Sequence, residues 1–98
     1  MIKTREIQIG PDLKKRLVDL GWELRSNMSA LVVDEIRGLV DGTKPFPTVD
    51  PDEKASDKIR FSLDDETWDA IKEIAADAHM HVSPVVRGLI VAKLEAHQ

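Results

Sequence analysis

The sequence predicts a mainly α-helical fold with a two-stranded antiparallel β-ribbon, made by two strand–helix–helix units in tandem. Three observations predict it. Short period-two alternations (Ile7 and Ile9; then Ile59, Phe61 and Leu63) each precede longer stretches with helical spacing. The order strand, helix, helix occurs twice at one offset of 54 residues. Between the two lies a proline-rich segment without apolar period, which reads as a linker.

The first strand holds Ile7 and Ile9 on one face and Glu6 and Gln8 on the other. Gly10-Pro11-Asp12 then starts a helix, with proline at the first helical position, where its missing N–H costs nothing. Its apolar stripe runs Leu13, Leu17, Leu20, Leu24, Met28. Ser29 is the N-cap candidate for a second helix with Leu31, Val32, Ile36 and Val40 on its buried face, and Gly42 suits a left-handed C-cap. The segment Asp41 to Asp57 carries three of the five prolines. The second strand then turns Ile59, Phe61 and Leu63 inward, and Lys58, Arg60 and Ser62 outward. Asp64-Asp65-Glu66 places acids where a helix dipole favours them, ahead of the stripe Thr67, Ile71, Ile74, Ala78, Val82. Ser83-Pro84 is the N-cap candidate for the last helix, with Val85, Val86, Ile90 and Leu94 apolar.

At the 54-residue offset Ile7 falls on Phe61, Ile9 on Leu63, Leu17 on Ile71, Leu20 on Ile74, Ser29 on Ser83 and Ile36 on Ile90. Few letters match, so the repeat is one of burial and punctuation. A unit of this size with a single strand can neither close a core nor satisfy its own ladder groups. Two units do so together, pairing their strands antiparallel over four interlocked helices. The expected organisation is a first unit at 1–41, a linker at 42–57 and a second unit at 58–98, forming one folded domain.

Composition narrows the function classes. Of 98 residues, 42% are hydrophobic and 33% charged, a globular balance. Apolar runs reach only three or four residues, too short to span a membrane, and Met1 to Gly10 lacks the apolar core of a signal peptide. A cytoplasmic protein is expected. There is no cysteine, hence no disulfide, thiolate metal site or thiol nucleophile. No phosphate loop, His-Glu-x-x-His or nucleophile elbow is present, so neither an enzyme nor a cofactor is expected. His79, His81 and His97 have no carboxylate cluster to complete a metal site, and His79-Met80-His81 reads as the bend between two helices. Trp22 and Trp68 read as core or rim packing. The net charge of −4 argues against non-specific coating of nucleic acid, yet residues 1–26 carry six basic against four acidic side chains.

The segments KIRFSLDDETWDAIKEIAADAHMHVSPVVRGLI (Lys58 to Ile90) and, more weakly, EIQIGPDLKKRLVDLGWELRSNMSALVVDEIRGL (Glu6 to Leu39) resemble the ribbon-helix-helix family of DNA-binding proteins, the Arc and MetJ type. Together they span about three-quarters of the chain. In that family two chains normally form the dimer, so a single chain with both units resembles the tandem members, an intramolecular pseudo-dimer. The resemblance implies a ribbon that enters the major groove and reads base edges with its outer side chains. By position these would be Glu6, Gln8, Lys58, Arg60 and Ser62. It further implies that the second helix of each unit aims its N-terminus at the phosphate backbone, which places Ser29, Ala30, Ser83 and Val85 as phosphate contacts. Arg87 lies four residues after Ser83, as in many family members, while the first copy has Val33 there and its arginine, Arg37, one turn later.

The expected function is therefore sequence-specific binding of double-stranded DNA as a prokaryotic transcriptional repressor, nucleoid-associated when bound, with self-association of pseudo-dimers along DNA left open. Unlike strands imply an asymmetric site, or a first unit that mainly scaffolds the second. The alternatives are an accessory factor shaping DNA for a plasmid or phage, and an antitoxin-like or inhibitory module that binds a protein partner. The negative charge favours the last. The end of the sequence soon after the last helix speaks against an antitoxin.

Overall fold

The computed structural model describes residues 1–49 and 54–97. Its elements are β1 (Ile2–Ile9), α1 (Pro11–Glu23), α2 (Met28–Asp41), β2 (Asp57–Asp64), α3 (Asp65–Asp77) and α4 (Val82–Ala96). The two strands form one antiparallel sheet, running from Ile2 opposite Asp64 to Ile9 opposite Asp57. The predicted mainly α architecture with a two-stranded antiparallel sheet is thus observed. The expected segment 42–57 differs at its edge, because Asp57 already pairs with Ile9 in the ladder. Positions 50–53 of that segment lie outside the described residues.

Alternation sorts the ribbon into two faces. Ile7, Ile9, Ile59, Phe61 and Leu63 are all buried against the helices, the inward set expected from the period of two. β1 begins earlier than Ile7 suggests, and its inner positions 3 and 5 are cationic. Arg5 nevertheless packs inward: its guanidinium lies 5.3 Å over the Trp68 ring and donates to the Asp65 carboxylate. Its aliphatic stem thus serves where an apolar residue would stand. Lys3 joins the same carboxylate at 3.7 Å.

The helices bury the stripes that helical spacing marks out. Leu13, Leu17 and Leu20 of α1, Leu31, Val32, Ile36 and Leu39 of α2, and Val85, Val86, Leu89, Ile90 and Leu94 of α4 belong to one core cluster with the ribbon's inner face. Two stripe positions fall elsewhere. Leu24 is the C-cap of α1 and is exposed, and on α3 the buried alanine is Ala75, while Ala78 is exposed at the C-cap. α2 is central, packing on β2, α3 and α4.

The corners repeat. Arg25 and His79 are the two non-glycine residues with positive φ, at 53° and 58° among the described residues, and they stand 54 positions apart. The bend at His79-Met80-His81 is where the sequence places it. α1 and α3 start 54 residues apart, as do α2 and α4.

Helix starts differ from expectation in one respect. Asn27, not Ser29, caps α2: its Oδ1 accepts from the Ala30 amide at 2.8 Å. At α4 the N-cap is His81, without a side-chain hydrogen bond, and Ser83 lies inside the first turn. Both serines are displaced for the same reason, since each helix begins one residue before its serine. Asn27→Ala should accordingly cost about 1 kcal/mol of stability, whereas Ser83→Ala should cost far less. Paired urea melts of the two variants check this, and equal losses would contradict it. α3 starts where the acids Asp64-Asp65-Glu66 mark it, and Asp64 is its N-cap, accepting from the Thr67 amide and hydroxyl, each at 2.9 Å. Those two bonds hold the Asp64 carboxyl below the usual aspartate range. Gly42 takes the left-handed C-cap of α2 (φ 80°).

The first half of the linker is packed. Thr43 and Lys44 amides both donate to the Gly38 carbonyl, and Lys44 pairs with the buried Glu35. Burial lowers the pKa of Lys44. Pro47 is buried against α4 at Gly88, where an added Cβ would lie 2.9 Å from both the Pro47 Cβ and the Thr48 carbonyl oxygen. Glycine at position 88 is what lets the strap approach.

Candidate nucleic-acid interface

The ribbon's other face carries no core duty. The register sets Gln8 opposite Lys58, Glu6 opposite Arg60 and Thr4 opposite Ser62, with Ile2 facing Asp64 at the end. Glu6, Gln8, Lys58, Arg60 and Ser62, the five side chains expected there, are thus brought together and exposed. Thr4 and Ile2 join them. Thr4 was legible by stepping back two residues from Glu6, or 54 from Lys58. The two cationic inner residues hid the strand that carries it.

Charge on this face is organised around Glu6. Its Oε2 accepts from Arg60 Nε at 3.0 Å, and Lys58 Nζ lies 3.4 Å from its Oε1. The Arg60 hydrogen bond leads in holding the Glu6 carboxyl below its ordinary value, so Glu6 is ionised near neutral pH. Arg60 remains 74% exposed and Lys58 61%, against 39% for Glu6. The two cationic side chains are therefore more open to solvent than the carboxylate they hold. At the ribbon's end, Asp57 accepts from the Lys58 amide at 2.8 Å and from Lys14 Nζ at 3.3 Å, and both interactions lower its pKa.

Two arginines pin helices to the ribbon. Arg87 is buried and donates from Nη1 to the Gln8 carbonyl at 3.0 Å, tying the N-terminal half of α4 to the end of β1. Arg37 lies 3.7 Å from Asp64 and ties α2 to the end of β2. Neither belongs to the outer face.

The helix-start residues differ in what they can donate. Ala30's amide is already engaged by Asn27, so an anion at α2 would compete with that cap. No side chain caps α4, whose first turn offers the amides of Val82 and Ser83; Pro84 has none. Val85 has a hydrocarbon side chain, fully buried here, so its backbone amide is the one group it could donate from.

The tryptophans part company. Trp68 packs on the core, its ring centroid 6.4 Å from that of Phe61, whereas Trp22 is 80% exposed at the end of α1, contrary to the packing role expected of it. Helical spacing puts Trp22 one turn past Val18, itself on the exposed side of α1, and the buried stripe passes through Leu17, Leu20 and Gly21 instead. Among the described residues, no group of three His, Asp or Glu side chains could hold a metal ion, and no helix is long and apolar enough to cross a membrane.

No family model matches the chain, and comparison with curated proteins and with solved structures gave no match either.

Proposed function

We propose that the chain is a tandem ribbon-helix-helix protein, an intramolecular pseudo-dimer that binds double-stranded DNA sequence-specifically with its ribbon in the major groove, and acts as a transcriptional repressor. The observation that carries this is the outer face itself: an eight-residue two-stranded ribbon whose inner side chains hold the core while Thr4, Glu6, Gln8, Lys58, Arg60 and Ser62 stand free of it. Strands about 4.8 Å apart make a ribbon that a major groove about 12 Å wide admits. Arginine can donate twice to guanine, and glutamine can bond adenine on two atoms.

The pairing register supports the pseudo-dimer. If a two-fold axis relates residue i to residue i+54, the position on the axis must face its own equivalent. Glu6 faces Arg60, and they are 54 apart. The repeated corner at Arg25 and His79 points the same way. Lys58 and Arg60 give the ribbon a basic edge on an acidic chain, which suits few, positioned contacts over non-specific coating. In this reading the first turn of α4, with Ser83 and the Val85 backbone, approaches phosphate; at α2, Ser29 and Ala30 share that task with the Asn27 cap.

The interaction-module reading draws on one feature, the acidic exposed side of α3 at Glu66, Asp69 and Glu73. Selection from random duplexes separates the two. The DNA reading expects one enriched, non-palindromic sequence whose binding weakens as salt rises. No enrichment and no duplex affinity at low salt would leave the protein-partner reading in its place.

A further inference from the structure

Glu6 is the difficulty in any DNA reading of this ribbon, because it puts a carboxylate at the middle of a face that would meet phosphates. Its contacts give it a role. The carboxylate takes the Nε edge of Arg60 with one oxygen and has Lys58 beside the other, so it is held from both sides. A guanidinium has five N–H donors, and engaging Nε leaves the four on Nη1 and Nη2. They are carried by a side chain that is 74% exposed.

Resting on the DNA reading above, we propose that Glu6 is a positioning residue. It fixes the Arg60 guanidinium so that both Nη groups face one guanine, and the target therefore carries a single oriented G·C pair under the middle of the ribbon. Held this way, the arginine enters the groove in the geometry a bidentate contact to O6 and N7 requires, and less rotamer freedom is lost on binding. The pair also exploits the tandem chain. In a symmetric dimer the residue on the axis meets its own copy, so the two positions must be alike. Here the equivalent positions, 6 and 60, carry opposite charges and form an ion pair.

Repulsion and orientation are separable by experiment. Repulsion by Glu6 acts on every duplex, whereas orientation of Arg60 acts only on the preferred one. Take the selected duplex and a scrambled duplex, and measure binding of the full chain and its Glu6→Ala, Glu6→Gln, Arg60→Ala and double Glu6→Ala/Arg60→Ala variants. Glu6→Ala should bind scrambled duplex as tightly as wild type or more so, while its preference for the selected duplex falls about tenfold. Glu6→Gln, whose amide oxygen can still accept from Nε, should keep part of that preference. In the Arg60→Ala background, removing Glu6 should leave the preference unchanged. If Glu6→Ala tightens both duplexes equally, Glu6 is only a charge and the proposal is wrong. It is also wrong if Glu6→Ala still lowers the preference without Arg60, since Glu6 would then touch a base itself. Absence of any preference in the wild-type chain is a different result, and removes the DNA reading on which the proposal stands.

Discussion

Phe61→Ala is expected to lower stability by roughly 3–5 kcal/mol, the cost of truncating a buried phenylalanine. Phe61 is 2% exposed, lies on the inner face of β2 and packs its ring against Trp68. It joins the ribbon to the helices, so the cavity cannot close without moving a strand. A loss of that size is a large share of the roughly 5–15 kcal/mol available to a domain. Trp22→Ala removes a larger ring but should change stability by no more than about 0.5 kcal/mol, because that side chain is 80% exposed. Denaturant melts of the two variants check both figures. Similar losses would mean that the ribbon's faces, or the exposure of Trp22, are misassigned.

The second large effect comes from dividing the chain. A fragment of residues 55–98 should not fold as a monomer. β2 would lose every ladder partner that β1 supplies, from Ile2 to Ile9. Ile59, Phe61 and Leu63 would lose Ile7 and Ile9, and α3 and α4 would lose the α2 face that packs against both. A strand with an unpaired edge and two helices with open apolar stripes lack the means to close a core. Self-association is the remaining way to fold. At the 54-residue register it would set Arg60 against its own copy, a like-charged pair in place of the Glu6–Arg60 bond. Circular dichroism with sedimentation would read the result. A cooperatively folded monomer would overturn the interdependence of the two units.

Much of the fold was legible because burial here follows simple periods. Ile7, Ile9, Ile59, Phe61 and Leu63 mark the inner ribbon, and the 54-residue repeat of stripes and corners gives the order of elements. What the sequence hid was each place where a side chain acts out of type. Lys3 and Arg5 occupy inner strand positions, so the alternation rule started β1 late. Two serines stood where caps belong, but Asn27 and His81 precede them and set the helix starts. The strap from Thr43 to Thr48 is proline-rich, which reads as a tether, and only the glycines at 38 and 88 hint that something lies against the helices. On the outer face, alternation put Glu6, Gln8, Lys58, Arg60 and Ser62 on the exposed side where the structure has them, but said nothing of their pairing. That Glu6 holds Arg60 depends on the register, and a register is a property of two strands together.

If the outer ribbon reads DNA sequence, as proposed, Arg60→Ala should remove part of that reading and leave the fold intact. Folding should survive, since Arg60 points away from the core and is mostly exposed. Binding to the selected duplex should weaken by roughly 1–3 kcal/mol, binding to scrambled duplex should change little, and the salt dependence should stay close to that of the wild-type chain. A folded Arg60→Ala variant that loses affinity for both duplexes equally, with a shallower salt slope, would make the arginine a phosphate contact and contradict sequence reading by the ribbon.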